Sequence, residues 1–294
     1  MEARPFCQDA ARQCQSLTTW AVARRESAGR NDRPSATSPD RGASALTLEM
    51  DTRQLRVGAE KLLMLAAVLI NPGISQSADV AIDIGHTLIM PGTVSASGVS
   101  EFEFNRKLAS SIARTLTASG ISVQIINREG RTKSLGERTS LAAKDRIFVS
   151  IHHDSVKQRY RPVVDQRFAG YSLWVSEHTA DYAGSVRCAR SIADEMLEAG
   201  FQPSHYHADP VIGENRPIVD WVRGIFSNSH LAVLRTARGP AVLVEAGVIA
   251  NAVEESKLND PVLHSTLART IAAGLAKCIS SDNASSVQAI STGS

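Results

Sequence analysis

Three short runs constrain this chain more than anything else in it: "VAIDIG" (Val80–Gly85), "RIFVSI" (Arg146–Ile151) and "PAVLVE" (Pro240–Glu245). Each is an almost unbroken apolar stretch of strand length, and each runs into ionisable side chains: His86, the pair His152-His153, and Glu245. Short apolar runs of this kind, separated by stretches with helical spacing, predict an α/β domain. The expected architecture is a single domain with a mostly parallel twisted sheet and helices on both faces. In a parallel sheet those three strand ends lie along one edge, where such folds place ligands.

The intervening segments fill in this frame. In 101–119, Phe104, Leu108, Ile112 and Leu116 recur every four residues and make one helical face, which Gly120 closes. "ISVQIIN" (121–127) and "YSLWVS" (171–176) are predicted strands, and "LGERTSLAAKD" (135–145) is a short helix carrying Arg138. A helix is expected over 180–199, then an irregular stretch over 201–229. Two further strands, "LAVLR" (231–235) and "PAVLVEAG" (240–247), and a helix over 261–278 complete the order. The serine-rich residues 280–294 are expected to form a disordered tail.

The chain opens differently. Residues 1–49 are rich in Arg, Ser, Asp, Gly and Pro and lack the apolar content to order themselves, so they read as a disordered upstream extension, with Met50 as the true start. From Met50 a cationic opening, an apolar run (Leu62–Ile70) and small residues at Ser75, Ser77 and Ala78 have the layout of a signal peptide over 50–78. The run is too short for a permanent membrane span. The predicted catalytic domain is therefore 79–279. A net charge of +2 and 5% aromatic residues argue against a nucleic-acid footprint. Cys188 and Cys278, left after removal of Cys7 and Cys14, read as two separate buried thiols, and no Cys-x-x-Cys pair offers a structural zinc site.

The strand ends carry the chemistry. His86 follows the first run, His152-His153 the third strand and Glu245 the "PAVLVE" run, while Glu101 heads the helix after the His86 loop. Two histidines and a carboxylate with one open position form a recurrent catalytic zinc set. Plainer roles exist: an acid in a first helical turn meets the helix dipole, and a strand-end histidine can simply face water. Strand alternation sends His152 and His153 to opposite faces, one into the site and one beside it. His178, His230 and His264 read as surface residues, and His205 and His207 are assigned no role. Trp174 and Trp221 read as core or rim packing.

"VAIDIGHT", "GVSEFEFNRKLA", "RIFVSIHHDS" and "PAVLVEAGVIAN" stand in the order found in the zinc-dependent N-acetylmuramoyl-L-alanine amidases, which hydrolyse cell-wall peptidoglycan, and the chain resembles that family over about Val80 to Cys278. The resemblance implies Zn2+ bound by His86, Glu101 and His152, catalysis by Glu245, and supporting roles for Asn105 and Arg138. It implies peptidoglycan as the substrate, export to the periplasm or cell wall, and room for a protein activator. Relatives can be held shut by a helix across the metal, for which Val211–Phe226 is the candidate segment. This sequence departs from the family in "TLIMPGTVSAS", where a glycine-rich stretch is usual, and in His153, where a small residue is usual. An exported zinc peptidase acting on wall peptides, or an inactive wall-binding homologue, are the competing readings.

Overall fold

The computed structural model describes residues 77–291; the upstream extension and the signal segment up to residue 76 lie outside them. A seven-stranded sheet forms the centre, in the order β2-β1-β3-β7-β4-β6-β5. Its strands are β1 (Val80–Ile84), β2 (Val123–Ile126), β3 (Ile147–Asp154), β4 (Ser172–Val175), β5 (Ile218–Asp220), β6 (Ile225–Ser227) and β7 (Ala241–Val248). β2, β1, β3 and β7 are parallel neighbours. β4 turns antiparallel to β7, and β5 antiparallel to β6. The sheet is mostly parallel, as expected, with its reversals confined to the β7–β4 and β6–β5 pairings.

The helices are α1 (Glu101–Ala118), α2 (Leu135–Leu141), α3 (Tyr182–Glu198), α4 (Ala232–Arg235), α5 (Ala252–Asn259) and α6 (Pro261–Ser291). Each apolar strand buries alternate residues on opposite faces, which is why the runs do not alternate in polarity. Val80, Ile82, Ile84, Val242 and Val244 pack with Leu108, Ile112 and Leu116 of α1, Ile192 and Met196 of α3, and Ile271 and Leu275 of α6. Ala81, Phe148, Leu243, Trp174 and Phe226 face the other way, against Val233 and Leu234 of α4 and Ala142 beyond α2.

Several local expectations are corrected. "LAVLR" is not a strand: Ala232–Arg235 makes one helical turn, and Val233 and Leu234 are both buried. Neighbouring residues buried together suit a helical turn better than an alternating strand, and so short an apolar run carries no period to tell them apart. The 201–229 stretch contains β5 and β6, three residues each, and no α-helix spans Val211–Phe226. α6 continues past Cys278 to Ser291, so helical backbone occupies most of the segment expected to be a disordered tail. Cys188 and Cys278 are not separate thiols. They form a disulfide joining α3 to α6, with Cα atoms 5.0 Å apart and 90 residues between them. Among the described residues no helix is long and apolar enough to cross a membrane.

Candidate metal centre and catalytic carboxylate

β1 ends at Ile84, and the chain leaves the sheet through Gly85 and His86. His86 has φ 66°, a left-handed conformation that a residue with a Cβ holds only when its surroundings insist. Two side chains insist. The Nδ2 of Asn127, just past β2, donates to the carbonyls of Ile84 (2.7 Å) and His86 (2.6 Å). Arg138 of α2 donates from Nη1 to the Ile84 carbonyl (3.1 Å) and from Nη2 to that of His86 (2.5 Å). Its guanidinium also meets Asp83, a carboxylate wholly buried in β1, at 3.4 Å. Burial raises the Asp83 pKa, and Arg138 and the Ser150 hydroxyl (2.7 Å) oppose that rise. Arg138 thus serves Asp83 and the backbone of the His86 turn.

Glu101 opens α1, and both imidazoles turn onto its carboxylate. His86 Nε2 lies 3.0 Å from Oε2, and His152 Nδ1 lies 3.0 Å from Oε1. The ligand atoms of His86, Glu101 and His152 all fall within 4.8 Å of one another. The Thr93 N–H donates to Glu101 Oε2 at 3.2 Å, and Asn105 Nδ2 to Oε1 at 3.3 Å. Burial alone would raise the Glu101 pKa, but the hydrogen bonds to His152 and His86 outweigh it and hold the carboxyl well below the usual carboxylate range. Two glycines make the convergence possible. A Cβ on Gly85 would collide with the His152 ring, and one on Gly92 (φ 79°) with Glu101 Oε2 and His86.

His153 takes no part in this triad. It is buried, packs on Phe104 with ring centroids 5.4 Å apart, and shares a 2.8 Å hydrogen bond with Asn105. Burial pushes its imidazole pKa down to about 3, with Glu101 opposing and His152 adding to the fall. Glu245 lies in β7 directly opposite His152 of β3. Its Oε2 is buried with no hydrogen-bond partner among the described residues. Burial raises its pKa well above the carboxylate range, and the charges of Asp154 and Glu101 add to the rise.

The donor set fits a metal. Two imidazole nitrogens and a carboxylate oxygen suit Zn2+, whereas Mg2+ and Ca2+ favour all-oxygen surroundings. A carboxylate with an unpartnered oxygen stands on the strand beside them, the arrangement a proton-transfer group needs.

A second cluster went unread in the sequence. His207, buried in a short 3-10 turn, bridges Asp154 Oδ2 (2.7 Å) and Glu214 Oε2 (2.8 Å), and the Tyr206 hydroxyl also donates to Asp154 (2.5 Å). The cluster ties the 205–216 loop to the end of β3. His205 stacks on the half-exposed Trp221 at the rim, whereas Trp174 is core.

The family model described as N-acetylmuramoyl-L-alanine amidase matches residues 80–277. A Buchnera aphidicola protein named for that activity is 23% identical over 216 residues, covering 67% of this chain and 94% of its own length. The N-acetylmuramoyl-L-alanine amidase AmiC of Neisseria meningitidis is 26% identical over 217 residues; the alignment covers 68% of this chain and 52% of that protein. The crystal structure of the N-acetylmuramyl-L-alanine amidase Ami1 from Mycobacterium smegmatis is similar in fold, with a TM-score of 0.57 at 23% identity over 69% of this chain and 96% of that one.

Proposed function

Because this chain belongs to the N-acetylmuramoyl-L-alanine amidase family, we propose that it is a zinc-dependent enzyme cutting the amide between the lactyl group of N-acetylmuramic acid and the L-alanine of peptidoglycan stem peptides. The observation that carries this reading is the convergence of His86, Glu101 and His152 beside the unpartnered Oε2 of Glu245. His86, Glu101 and His152 would hold the ion. When bound, zinc supplies the Lewis acidity that polarises the amide carbonyl and lowers the pKa of water.

Glu245 is the general base. Its carboxylate takes a proton from the attacking water as the oxygen adds to the carbonyl carbon, then delivers that proton to the amine nitrogen as the C–N bond breaks. The products are a free lactyl carboxylate on the glycan and a stem peptide with a free L-alanine amine. Asn127 and Arg138 hold the His86 turn, and Asn105 orients Glu101.

Purified protein supplied with zinc and peptidoglycan sacculi tests the proposal. Intact stem peptides beginning at L-alanine are expected in the soluble fraction. Shorter peptides would replace the reading with a wall peptidase, and binding without release would make the chain a wall-binding homologue.

Such a substrate lies outside the cytoplasm, so export is part of the proposal. The cationic, apolar and small-residue order from Met50 supports it. Expression from Met50 should yield exported protein trimmed near Ala78 on N-terminal sequencing; an exported chain that keeps the apolar run would remove the signal peptide from the account.

A further inference from the structure

His153 is buried beside the candidate metal ligands, and its hydrogen bonding gives it work to do. Asn105 Nδ2 donates to the Gly85 carbonyl (3.2 Å) and to Glu101 Oε1 (3.3 Å). With both donors spent there, the amide is oriented so that Oδ1 is left to accept, and the 2.8 Å contact with His153 Nδ1 is an N–H donated by the imidazole. Asn105 is completely buried, so this donor is its Oδ1 partner in a place that water does not supply. The His153 ring is in turn fixed by Phe104, one residue before Asn105 on the same helix. The His153 backbone N–H also reaches Glu101 Oε1, at 3.4 Å. A chain of contacts therefore runs from His153 through Asn105 to the carboxylate on which His86 and His152 converge.

We propose that His153 is a positioning residue for Glu101: by donating to Asn105 it locks the amide in the one orientation that presents Nδ2 to the carboxylate and to the Gly85 carbonyl. This rests on the reading of His86, Glu101 and His152 as metal ligands. Groups that orient ligands from behind typically contribute about 10–100-fold to metal affinity. His153 acts in that way on a carboxylate ligand, through the Asn105 amide.

The test measures zinc affinity of the full chain by competition with a chromophoric chelator. His153→Phe keeps a ring against Phe104 and removes the donor; His153→Asn places Nδ2 near the position of the lost Nδ1. Zinc affinity should fall about 10–100-fold in the first and recover most of the way in the second. Asn105→Ala should weaken zinc similarly, and adding His153→Phe to it should cause little further loss. This double-variant comparison is independent of whether His153→Asn folds well. A His153→Phe protein that binds zinc like the unaltered chain, or losses that simply add, would overturn the positioning role while leaving the ligand set intact. Failure of the ligand reading looks different: His152→Ala would leave zinc affinity unchanged, and the proposal would fall with it.

Discussion

Glu245 and His152 are direct partners across the parallel β3–β7 pairing, which puts the carboxylate one strand from the Glu101–His152 contact. The rigid register of two central strands, rather than a loop, sets their separation. Glu245→Gln keeps the shape and removes the proton acceptor. General-base contributions run to about 10²–10⁴-fold, so hydrolysis of sacculi should fall by at least the lower figure while zinc content is unchanged. Metal analysis beside the activity assay separates this from loss of a ligand. A Glu245→Gln variant that keeps most of its activity would remove Glu245 from the mechanism.

The proposed ligand set of His86, Glu101 and His152 makes its own prediction. One zinc per chain should be removable by chelator and restored by added zinc. His86→Ala and His152→Ala each remove an imidazole that touches Glu101 and should leave the purified protein with little metal. His153→Ala should keep far more, because His153 reaches the carboxylate only through its own backbone and Asn105. Higher zinc content in His152→Ala than in His153→Ala would exchange their roles.

The strands that position this site were legible because their apolar runs are rich in β-branched Val and Ile, a signal that "LAVLR" largely lacks. So was α1, whose four-residue recurrence matches the buried face of Phe104, Leu108, Ile112 and Leu116. What sequence reading missed depends on contacts between distant segments. Asp83 and Ser150 are polar residues inside apolar strands, a signal of buried partners, but nothing local points Asp83 at Arg138, 55 residues on. Asn127 ends β2 in a left-handed turn, and its role emerges only because β2 lies beside β1. The Cys188–Cys278 bridge likewise needs α3 and α6 to share a face. The His207 cluster was hidden because the loop that carries it has no periodicity to place it over β3.

That cluster carries a pH dependence. Burial would lower the His207 pKa, but Asp154 and Glu214 outweigh it and raise the imidazole to about 9 from an ordinary 6.5. A raised pKa means that the folded state holds the proton more tightly than the unfolded chain. The stabilisation is complete below about pH 6.5, declines as pH rises, and is gone above about 9. Its size is roughly 3 kcal/mol, at about 1.4 kcal/mol per pKa unit. Urea unfolding between about pH 6 and pH 9.5 should therefore show a fall in stability that His207→Gln largely abolishes. An identical fall in the variant would assign the effect to other groups.

Arg138 offers the sharpest separation of scaffold from chemistry. It is 3% exposed, and it faces a carboxylate, Asp83, that is 0% exposed. Removing one member of a buried ion pair leaves the other charged or forces it to take up a proton, and typically costs about 3–5 kcal/mol. Arg138→Met should destabilise the fold by that order, and adding Asp83→Asn should recover part of it, because the uncompensated charge is gone. Neither substitution can restore the Nη2 donor on the His86 carbonyl, so Asn127 alone would hold the left-handed turn. The double variant should thus regain melting temperature without regaining full zinc affinity. Thermal unfolding and chelator competition on the same samples check both halves. If zinc affinity recovers in step with stability, Arg138 supports the fold alone and the His86 turn does not depend on it.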